Sequence, residues 1–487
     1  MRTPLPTFIL FVLGCLLFFF ALGNHQLQGS AEPRVAGIAM EMYLDNDWIV
    51  PKLNGQPFLE KPPLSLWLDS SAIKLFGGTP LAVRLASAFA GLFSLMLLYA
   101  MLRKLGRPAT IAWAAAILMA TTASYLSNSR QVGEDALLSL GVTLALLAFF
   151  YASRQQAEQR HFALGSWLLF ASGIMIATLS KGVLGLALPG VVIFTYLVAE
   201  SVLEKRLTVS RWLRPALFTV VGLIPLLVWL GLLYQRGGMQ MLGDVLWANS
   251  VGRFSGSFEG AGHFEPFYYY LVKLPQAFLP WNLLVYFGLW HFRKALVSNR
   301  YLLFFSLWLV AQFILLTLAS SKRMVYLMSL TPAAAVLAAE YAAVLLKGLQ
   351  ERAPSSAFAD RLLRHRRVLV LGVLGAVILG YLAAALWLAP RADRNESFVP
   401  LTAQVKALQA NGQHVVLFKP SERLAGATVF YSQSRLEALQ SEAELTQFLS
   451  ATPGNVAIME SRSEPVAPLK VVEKITIGQR DYYFVGQ

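Results

Sequence analysis

Residues 135–152 read DALLSLGVTLALLAFFYA, a run that carries no charge after its first residue. A helix needs roughly 20 apolar residues to cross about 30 Å of hydrocarbon, and somewhat fewer in short cases, so this run is a candidate membrane span. Apolar runs of the same kind recur along the chain to about residue 389. Of the 487 residues, 56% are hydrophobic and only 14% are charged. The composition therefore predicts a mainly α-helical, polytopic integral membrane protein.

The apolar runs predict about eleven or more transmembrane helices. They lie near 5–23, 80–102, 109–127, 135–152, 163–180, 182–200, 213–234, 268–291, 301–319, 323–346 and 367–389. The first run follows Arg2 and has only a weak cleavage pattern after it, so we interpret it as an uncleaved anchor. Cys15 is the only cysteine, which excludes an internal disulfide and a thiolate metal cluster.

Basic residues predict the orientation of these spans. If the N-terminus is cytoplasmic, the basic connections all fall on the cytoplasmic side, at 103–108, 153–161, 204–214, 291–300 and 361–367. The net charge of +14 is therefore explained by topology, and no basic stripe suggests nucleic-acid binding. The opposite, exported side receives the long loops 24–79 and 235–267 and the segment 391–487.

The sequence divides into a transmembrane domain at 1–390 and an exported domain at 391–487. Four stretches of the second part have strand character, and helical stretches lie near 400–410 and 434–450. The predicted strands are HVVLF (414–418), ATVFYS (427–432), NVAIME (455–460) and DYYFVGQ (481–487). This alternation predicts a small α/β domain.

Several cations lie on the exported side, where topology gives no reason for them. Single residues of this kind are often lipid-facing side chains that reach the interface, but charges at membrane depth mark functional sites by default. A cluster of cations at this face suits a phosphate anchored in the outer leaflet. The set comprises Arg34, Lys61 and Arg253 in the long loops and Lys181, Lys322 and Arg323 in short turns.

One long block resembles a known family. EPRVAGIAMEMYLDNDWIVPKLNGQPFLEKPPLSLW (32–67) resembles the first outer loop of bacterial GT-C glycosyltransferases related to protein O-mannosyltransferases and to the lipid A aminoarabinose transferases. Later blocks are similar to that family in the same order, over about residues 30–345. They are LSKGVLGLALPG (179–190), NSVGRFSG (249–256), EPFYYYL (265–271), FLPW (278–281) and SSKRMVYLMSLTP (320–332).

The resemblance implies a GT-C-like glycosyltransferase that uses a polyprenyl-phosphate sugar at the periplasmic face of a bacterial inner membrane. The sugar would pass with inversion to a lipid A, glycan, lipid or protein acceptor. It implies that Lys61 contacts the lipid phosphate, that Glu60 orients Lys61 or helps to bind a divalent ion, and that Tyr326 adds a hydrogen bond. Arg34 and Arg253 would stabilise charge on the leaving phosphate. Pro62 and Pro63 would keep the loop out of a helix.

The sequence departs from the family at the catalytic acid. Alignment on Glu32 and Arg34 places Ala31 where the resemblance implies a carboxylate. Glu32 and Asp135 are the predicted catalytic residues, with Glu134 as an alternative general base.

A divalent metal is a further implication of the resemblance, with His263 and Glu60 as candidate ligands, although His263 also fits a purely structural role. Two rival functions stay open. One is a binding or regulatory relative that lost catalysis with the acid at position 31. The other is a transporter of lipid-linked sugars, which is disfavoured because the predicted spans carry almost no charge at their centres.

Overall fold

A computed structural model describes residues 5–157, 164–247, 264–463, 465 and 469–486. Helices α1 to α9 span Leu5–Phe19, Ala31–Asp45, Leu64–Phe76, Pro80–Lys104, Ala109–Ala120, Ala123–Asn128, Asp135–Ala157, Leu164–Glu204 and Val209–Gly243. Helices α10 to α14 span Tyr269–Ala277, Asn282–Phe292, Arg300–Leu318, Thr331–Arg352 and Ala357–Ala383, and a 3-10 helix at Met324–Leu330 precedes α13. Helices α15 to α18 span Ala389–Glu396, Val399–Ala410, Glu422–Ser432 and Glu442–Ala451.

Within these described ranges, seven helices are long and apolar enough to cross a membrane, namely α4, α7, α8, α9, α12, α13 and α14. Helices α1 and α5 are shorter apolar helices. The chain is therefore a multi-pass membrane protein, as its composition predicts. The predicted run 268–291 divides into α10 and α11, with Pro280 in the break. A proline inside a helix removes a backbone donor and clashes with the preceding turn.

Helix α8 contains two of the predicted spans. Its backbone leaves helical geometry at Lys181 (φ −144°, ψ 26°) and at Gly182 (φ 52°, ψ −125°). The positive φ of Gly182 is a conformation that glycine adopts without a steric penalty. Beyond the kink, the second arm lies so close to the first that a side chain at Gly185 would overlap the backbone of Ala177. The short turn predicted at Lys181, between the spans 163–180 and 182–200, is therefore confirmed.

Small residues allow the neighbouring helices α7 and α8 to pack closely. A side chain added at Gly141 would overlap Ala177, and one added at Gly173 would overlap Ala145. Inside a membrane the hydrophobic effect does not drive helices together, because lipid tails are as apolar as the side chains. Close contact between helix backbones is then a normal source of packing energy. This tight pair fixes the start of α7 beside the kink of α8.

The segment 24–79 contains regular structure on both sides of its Pro-Pro stretch. Helix α2 is followed by a hairpin of β1 (Lys52–Leu53) and β2 (Gln56–Pro57), whose turn residues Asn54 and Gly55 both have positive φ. Glu41 on α2 accepts backbone hydrogen bonds from Asn54 and Gly55, which fastens the hairpin to the helix. Residues 58–63 are not helical, and α3 begins immediately afterwards at Leu64.

The C-terminal part forms a five-stranded sheet. Strands β3 to β7 span Val415–Phe418, Ala438–Leu439, Val456–Ser461, Lys470–Ile477 and Arg480–Gly486. Their order is β4-β3-β5-β7-β6, with β3 parallel to β4 and β5 and the other pairs antiparallel. The predicted small α/β unit is confirmed. Strand β6 was not predicted, and the predicted helical stretch 434–450 holds β4 as well as α18.

The prediction of a strand at 427–432 is wrong, because these residues lie in α17. Ser421 caps this helix by accepting a hydrogen bond from the backbone N–H of Leu424, and Gln433 ends it in a left-handed conformation. Gly426 lets α17 lie directly on α2, where a side chain at Gly426 would overlap the backbone of Pro33 and Arg34. Capping and this tertiary contact override the β-propensity of the residues Thr428 to Tyr431.

Candidate functional site

Four separate parts of the chain meet at a charged cleft, an open depression with about 450 Å³ of empty space. They are the first turn of α2, the loop before α3, the α6–α7 connection and the segment before the 3-10 helix. The cleft therefore gathers several of the predicted site residues, although they lie far apart in sequence. Its lining consists of Ala31, Arg34, Val35, Lys61, Asn128, Gln131, Val132, Gly133, Glu134, Asp135, Arg323 and Val325.

Lys61 forms an ion pair in this cleft. Its Nζ lies 2.5 Å from Oε1 of Glu134, and the Glu134 side chain is only 6% exposed. Burial alone would raise the pKa of Glu134, but the ammonium groups of Lys61 and Lys181 hold the pKa well below its usual range. Glu134 is therefore an ionised partner for two lysines rather than a strong base.

Lys181 lies at the kink of α8 and contacts both acidic residues at the start of α7. It donates a short hydrogen bond to Asp135 Oδ1, and its Nζ is 3.4 Å from Oε1 of Glu134. The same ammonium group lies 4.3 Å from the centre of the Tyr326 ring, a cation–π contact. The predicted residues Lys181, Asp135 and Tyr326 therefore form one connected group.

Arg34 is held by two carboxylates from opposite ends of the chain. Its Nη1 donates to Oε2 of Glu422 at 2.7 Å and lies 3.6 Å from Oε2 of Glu60. The guanidinium carbon lies 5.7 Å from the centre of the Phe58 ring. Burial disfavours the charge, but Glu60 and Glu422 together raise the pKa of Arg34 above its ordinary value. Nε of Arg34 is buried and has no hydrogen-bond partner among the described residues.

Glu32 faces away from the cleft, although its neighbour Ala31 lines it. Its two oxygens accept hydrogen bonds from Nε and Nη2 of Arg84 at 2.9 and 2.8 Å, and from the backbone N–H groups of Gln28 and Val132 at 3.0 Å each. Successive helical residues point about 100° apart, since a turn takes about 3.6 residues. Glu32 is therefore the ion-pair partner of the fully buried Arg84.

Lys322 and Arg323 are adjacent but lie in different surroundings. The buried ammonium group of Lys322 donates to the carbonyl oxygens of Ala319 at 2.6 Å and Glu265 at 3.1 Å, and this residue is not part of the cleft lining. Arg323 lines the cleft. Its backbone is fixed by the Tyr270 hydroxyl, which donates to the Arg323 carbonyl at 3.1 Å.

Two predicted site residues, Arg253 and His263, lie outside the described residues. Within the ranges that the structure describes, no group of three or more His, Cys, Asp or Glu side chains could hold a metal ion. Glu60 faces Arg34 at 3.6 Å. The metal site at His263 and Glu60 stays a prediction.

Some residues at or near the cleft were not found from the sequence. Asn128 and Gln131 line it, but isolated amides carry no recognisable motif. Glu422 lies 388 positions after Arg34, so only the fold reveals their contact. Asp69, on α3, is fully buried, and its Oδ2 has no hydrogen-bond partner among the described residues. Burial, and then the charge of Glu134, raises the pKa of Asp69 well above its usual value.

Comparisons with known proteins agree with this architecture. Residues 60–229 match the family described as dolichyl-phosphate-mannose-protein mannosyltransferase. A Pseudomonas aeruginosa undecaprenyl phosphate-alpha-4-amino-4-deoxy-L-arabinose arabinosyl transferase is 29% identical over 316 residues, which is 64% of this chain and 55% of that protein. The enzyme of the same name from Shewanella sediminis is 30% identical over 327 residues, which is 66% of this chain and 57% of that protein. The chain thus matches just over half the length of these curated relatives.

The fold is shared over a much larger part. The crystal structure of ArnT from Cupriavidus metallidurans bound to undecaprenyl phosphate has a TM-score of 0.76 and 20% sequence identity, and the match covers 99% of this chain and 98% of that one. The protein is therefore a multi-pass membrane protein with an ArnT-like fold. The resemblance to GT-C glycosyltransferases of the aminoarabinose transferase type is confirmed.

Proposed function

We propose that this protein is a glycosyltransferase that moves a monosaccharide from a polyprenyl-phosphate carrier to an acceptor hydroxyl or phosphate. The observation that carries this proposal is the charged cleft, in which Arg34, Lys61 and Arg323 converge beside the Lys181–Asp135 pair. Concentrated cations of this kind suit a lipid phosphate at a membrane face. The names of the relatives make 4-amino-4-deoxy-L-arabinose on undecaprenyl phosphate the first donor to test. Lipid A, one of the acceptors that the resemblance implies, is the first acceptor to test.

The chemistry requires a leaving phosphate. An acceptor oxygen attacks the anomeric carbon, the bond from that carbon to the phosphate oxygen breaks, and the sugar is transferred with inversion. Negative charge grows on the phosphate as this bond breaks, and Lys61 and Arg34 stabilise it. In the described structure Lys61 is paired with Glu134, so an incoming phosphate competes with that carboxylate for the ammonium group.

Asp135 is the carboxylate best placed to accept the acceptor proton. It lines the cleft, its side chain is 15% exposed, and Lys181 fixes its position. Glu32 uses both oxygens on Arg84 and backbone donors, and Glu134 is only 6% exposed and pairs with both Lys61 and Lys181. A general base must lie within hydrogen-bond reach of the proton that it removes. We therefore assign the base to Asp135 and a structural role to Glu32.

We further propose that the cleft and the C-terminal domain face the periplasm of a bacterial inner membrane. Because Lys and Arg are retained in cytoplasmic loops, cysteine labelling or reporter fusions should place 291–300 and 347–367 in the cytoplasm. The same experiment should place 24–79, 235–267 and 391–487 outside. A cytoplasmic C-terminal domain would contradict the proposed orientation of the site.

The activity itself is tested in a deletion strain and with purified protein. Lipid analysis of the deletion strain should show a missing sugar modification and accumulation of the polyprenyl-phosphate sugar. The purified full-length protein should restore the modification when it is supplied with that donor and the unmodified acceptor. An unchanged glycolipid profile together with no transfer from any polyprenyl-phosphate sugar would contradict the proposal.

A second candidate function rests on Ala31. This residue lines the cleft beside Arg34, at the position where the resemblance implies a catalytic carboxylate. A relative without that acid could bind a polyprenyl-phosphate sugar without transferring it. Donor binding without turnover in the purified protein would favour this alternative.

A further inference from the structure

We propose that Glu422 of the C-terminal domain is a positioning residue for Arg34, so that docking of this domain completes the phosphate-binding part of the cleft. This inference rests on the proposed function and extends it to a domain outside the membrane-spanning part. The C-terminal domain would then be a component of the donor site rather than a separate unit.

The contacts of Arg34 carry the first step. Its Nη1 lies 2.7 Å from Glu422 but 3.6 Å from Glu60, so the closer of these two carboxylates comes from the C-terminal domain. Phe58 provides a ring at 5.7 Å, and Nε has no partner among the residues that the structure describes. Arg34 lines the cleft, and a guanidinium that is fixed through one N–H group can present its other N–H groups to an oxyanion.

The docking of the C-terminal domain carries the second step. Gly37 on α2 and Gly426 on α17 face each other so closely that a side chain on either would overlap the other helix. The Tyr431 hydroxyl accepts a hydrogen bond from the backbone N–H of Leu27 at 2.9 Å, and Arg435 forms an ion pair with Asp45. These contacts fix the register of α17 on the helix that bears Arg34.

The position of Glu422 in its own domain carries the third step. It is the first residue of α17, which follows the carboxyl end of the parallel strand β3. The crevice beyond the carboxyl ends of parallel strands is where α/β sheets bind their ligands. Here α2 and Arg34 lie against the start of α17, so this edge of the sheet supplies a side chain that contacts Arg34, a residue of the cleft lining.

Glu422 contributes little to folding but fixes Arg34. Its side chain is 52% exposed, and exposed ion pairs add little to stability. The Arg34 side chain is only 15% exposed, and without Glu422 it keeps only the longer contact with Glu60, at 3.6 Å, of the two carboxylate contacts described above. Removing the Glu422 charge should therefore change donor binding far more than it changes the melting temperature.

The test compares E422Q with E422D and with the matched control E442Q in the full-length protein. Glu442 occupies the first position of α18 in the same domain and is exposed. We expect E422Q to weaken binding of undecaprenyl phosphate, and to raise the KM for the donor sugar, by about tenfold at nearly constant kcat. E422D should recover most of the affinity, and E442Q should match wild type.

Two further measurements separate the possible failures. E422Q introduced into an Arg34→Ala background should add no further loss of undecaprenyl phosphate affinity, since Glu422 acts through Arg34. Equal affinity in E422Q and wild type, or an equal loss in the Arg34→Ala background, would overturn the positioning role. If wild type binds undecaprenyl phosphate but transfers no sugar, the proposed activity fails, and the affinity comparison still decides the role of Glu422. Absence of binding in wild type overturns both.

Discussion

Replacement of Lys61 by alanine should lower sugar transfer by about a hundredfold or more while the protein stays folded in the membrane. Loss of one donor that stabilises developing oxyanion charge typically costs about 3–4 kcal/mol, which is a factor of roughly 10²–10³ in rate. Lys61 lies in the charged cleft, and its side chain is 22% exposed, so an incoming phosphate can reach it. Turnover measured with purified variants checks this expectation.

The pairing of Lys61 with Glu134 requires a stability control. Lys61→Ala leaves the buried Glu134 with Lys181 alone, and loss of one partner of a buried pair is destabilising. The double variant Lys61→Ala/Glu134→Gln removes the carboxylate that has lost one of its two lysines, so its melting temperature should recover while its activity does not. Lys347→Ala is the matched control, because Lys347 is 78% exposed and its Nζ lies 3.8 Å from Oε1 of the exposed Glu351. Wild-type turnover in Lys61→Ala would refute the phosphate role.

Much of the fold could be predicted because a long apolar run in the sequence directly indicates a membrane-spanning helix. Runs such as 135–152 became long helices, and a single charged turn between two apolar runs correctly marked the kink at Lys181 and Gly182. Strand prediction failed at 427–432 because the residues of α17 are held by capping and by contact with α2. Such a contact joins residues nearly 400 positions apart and leaves no local pattern in the sequence.

The site was predicted in part for a similar reason. Charges without a topological explanation led to Arg34, Lys61, Lys181 and Arg323, which the structure brings together in or beside the cleft. The sequence did not show which way each side chain points. Lys322 is one residue from Arg323, yet its ammonium group is bound by two backbone carbonyls. The direction of a side chain is set by the local backbone and by the packing of its neighbours, and both depend on the complete fold.

Asp135→Asn should leave donor binding nearly unchanged and lower transfer by about 10²–10⁴-fold, the contribution that a general base typically makes. Glu32→Gln should behave differently, because Glu32 neutralises the fully buried Arg84. Breaking that pair should lower the melting temperature, as an uncompensated buried charge costs about 3–5 kcal/mol. Nearly full transfer in Asp135→Asn, together with a normally folded Glu32→Gln protein that has lost transfer, would reverse these two assignments.

Ala31→Asp distinguishes an enzyme from a binding relative. Ala31 is the first residue of α2 and lines the same cleft as Asp135. A carboxylate introduced there would therefore lie in the cleft without any rearrangement of α2. If Asp135 already serves as the base, Ala31→Asp should raise transfer little or not at all, and it should partly restore the Asp135→Asn variant. If the protein only binds donor, wild type and Asp135→Asn should both be inactive, and Ala31→Asp alone should create activity. We expect the result of an enzyme, in which Ala31→Asp raises transfer little or not at all. Lys181, which holds Asp135, is positioned by the kink at Gly182 in α8, and a simple binding site does not require this arrangement.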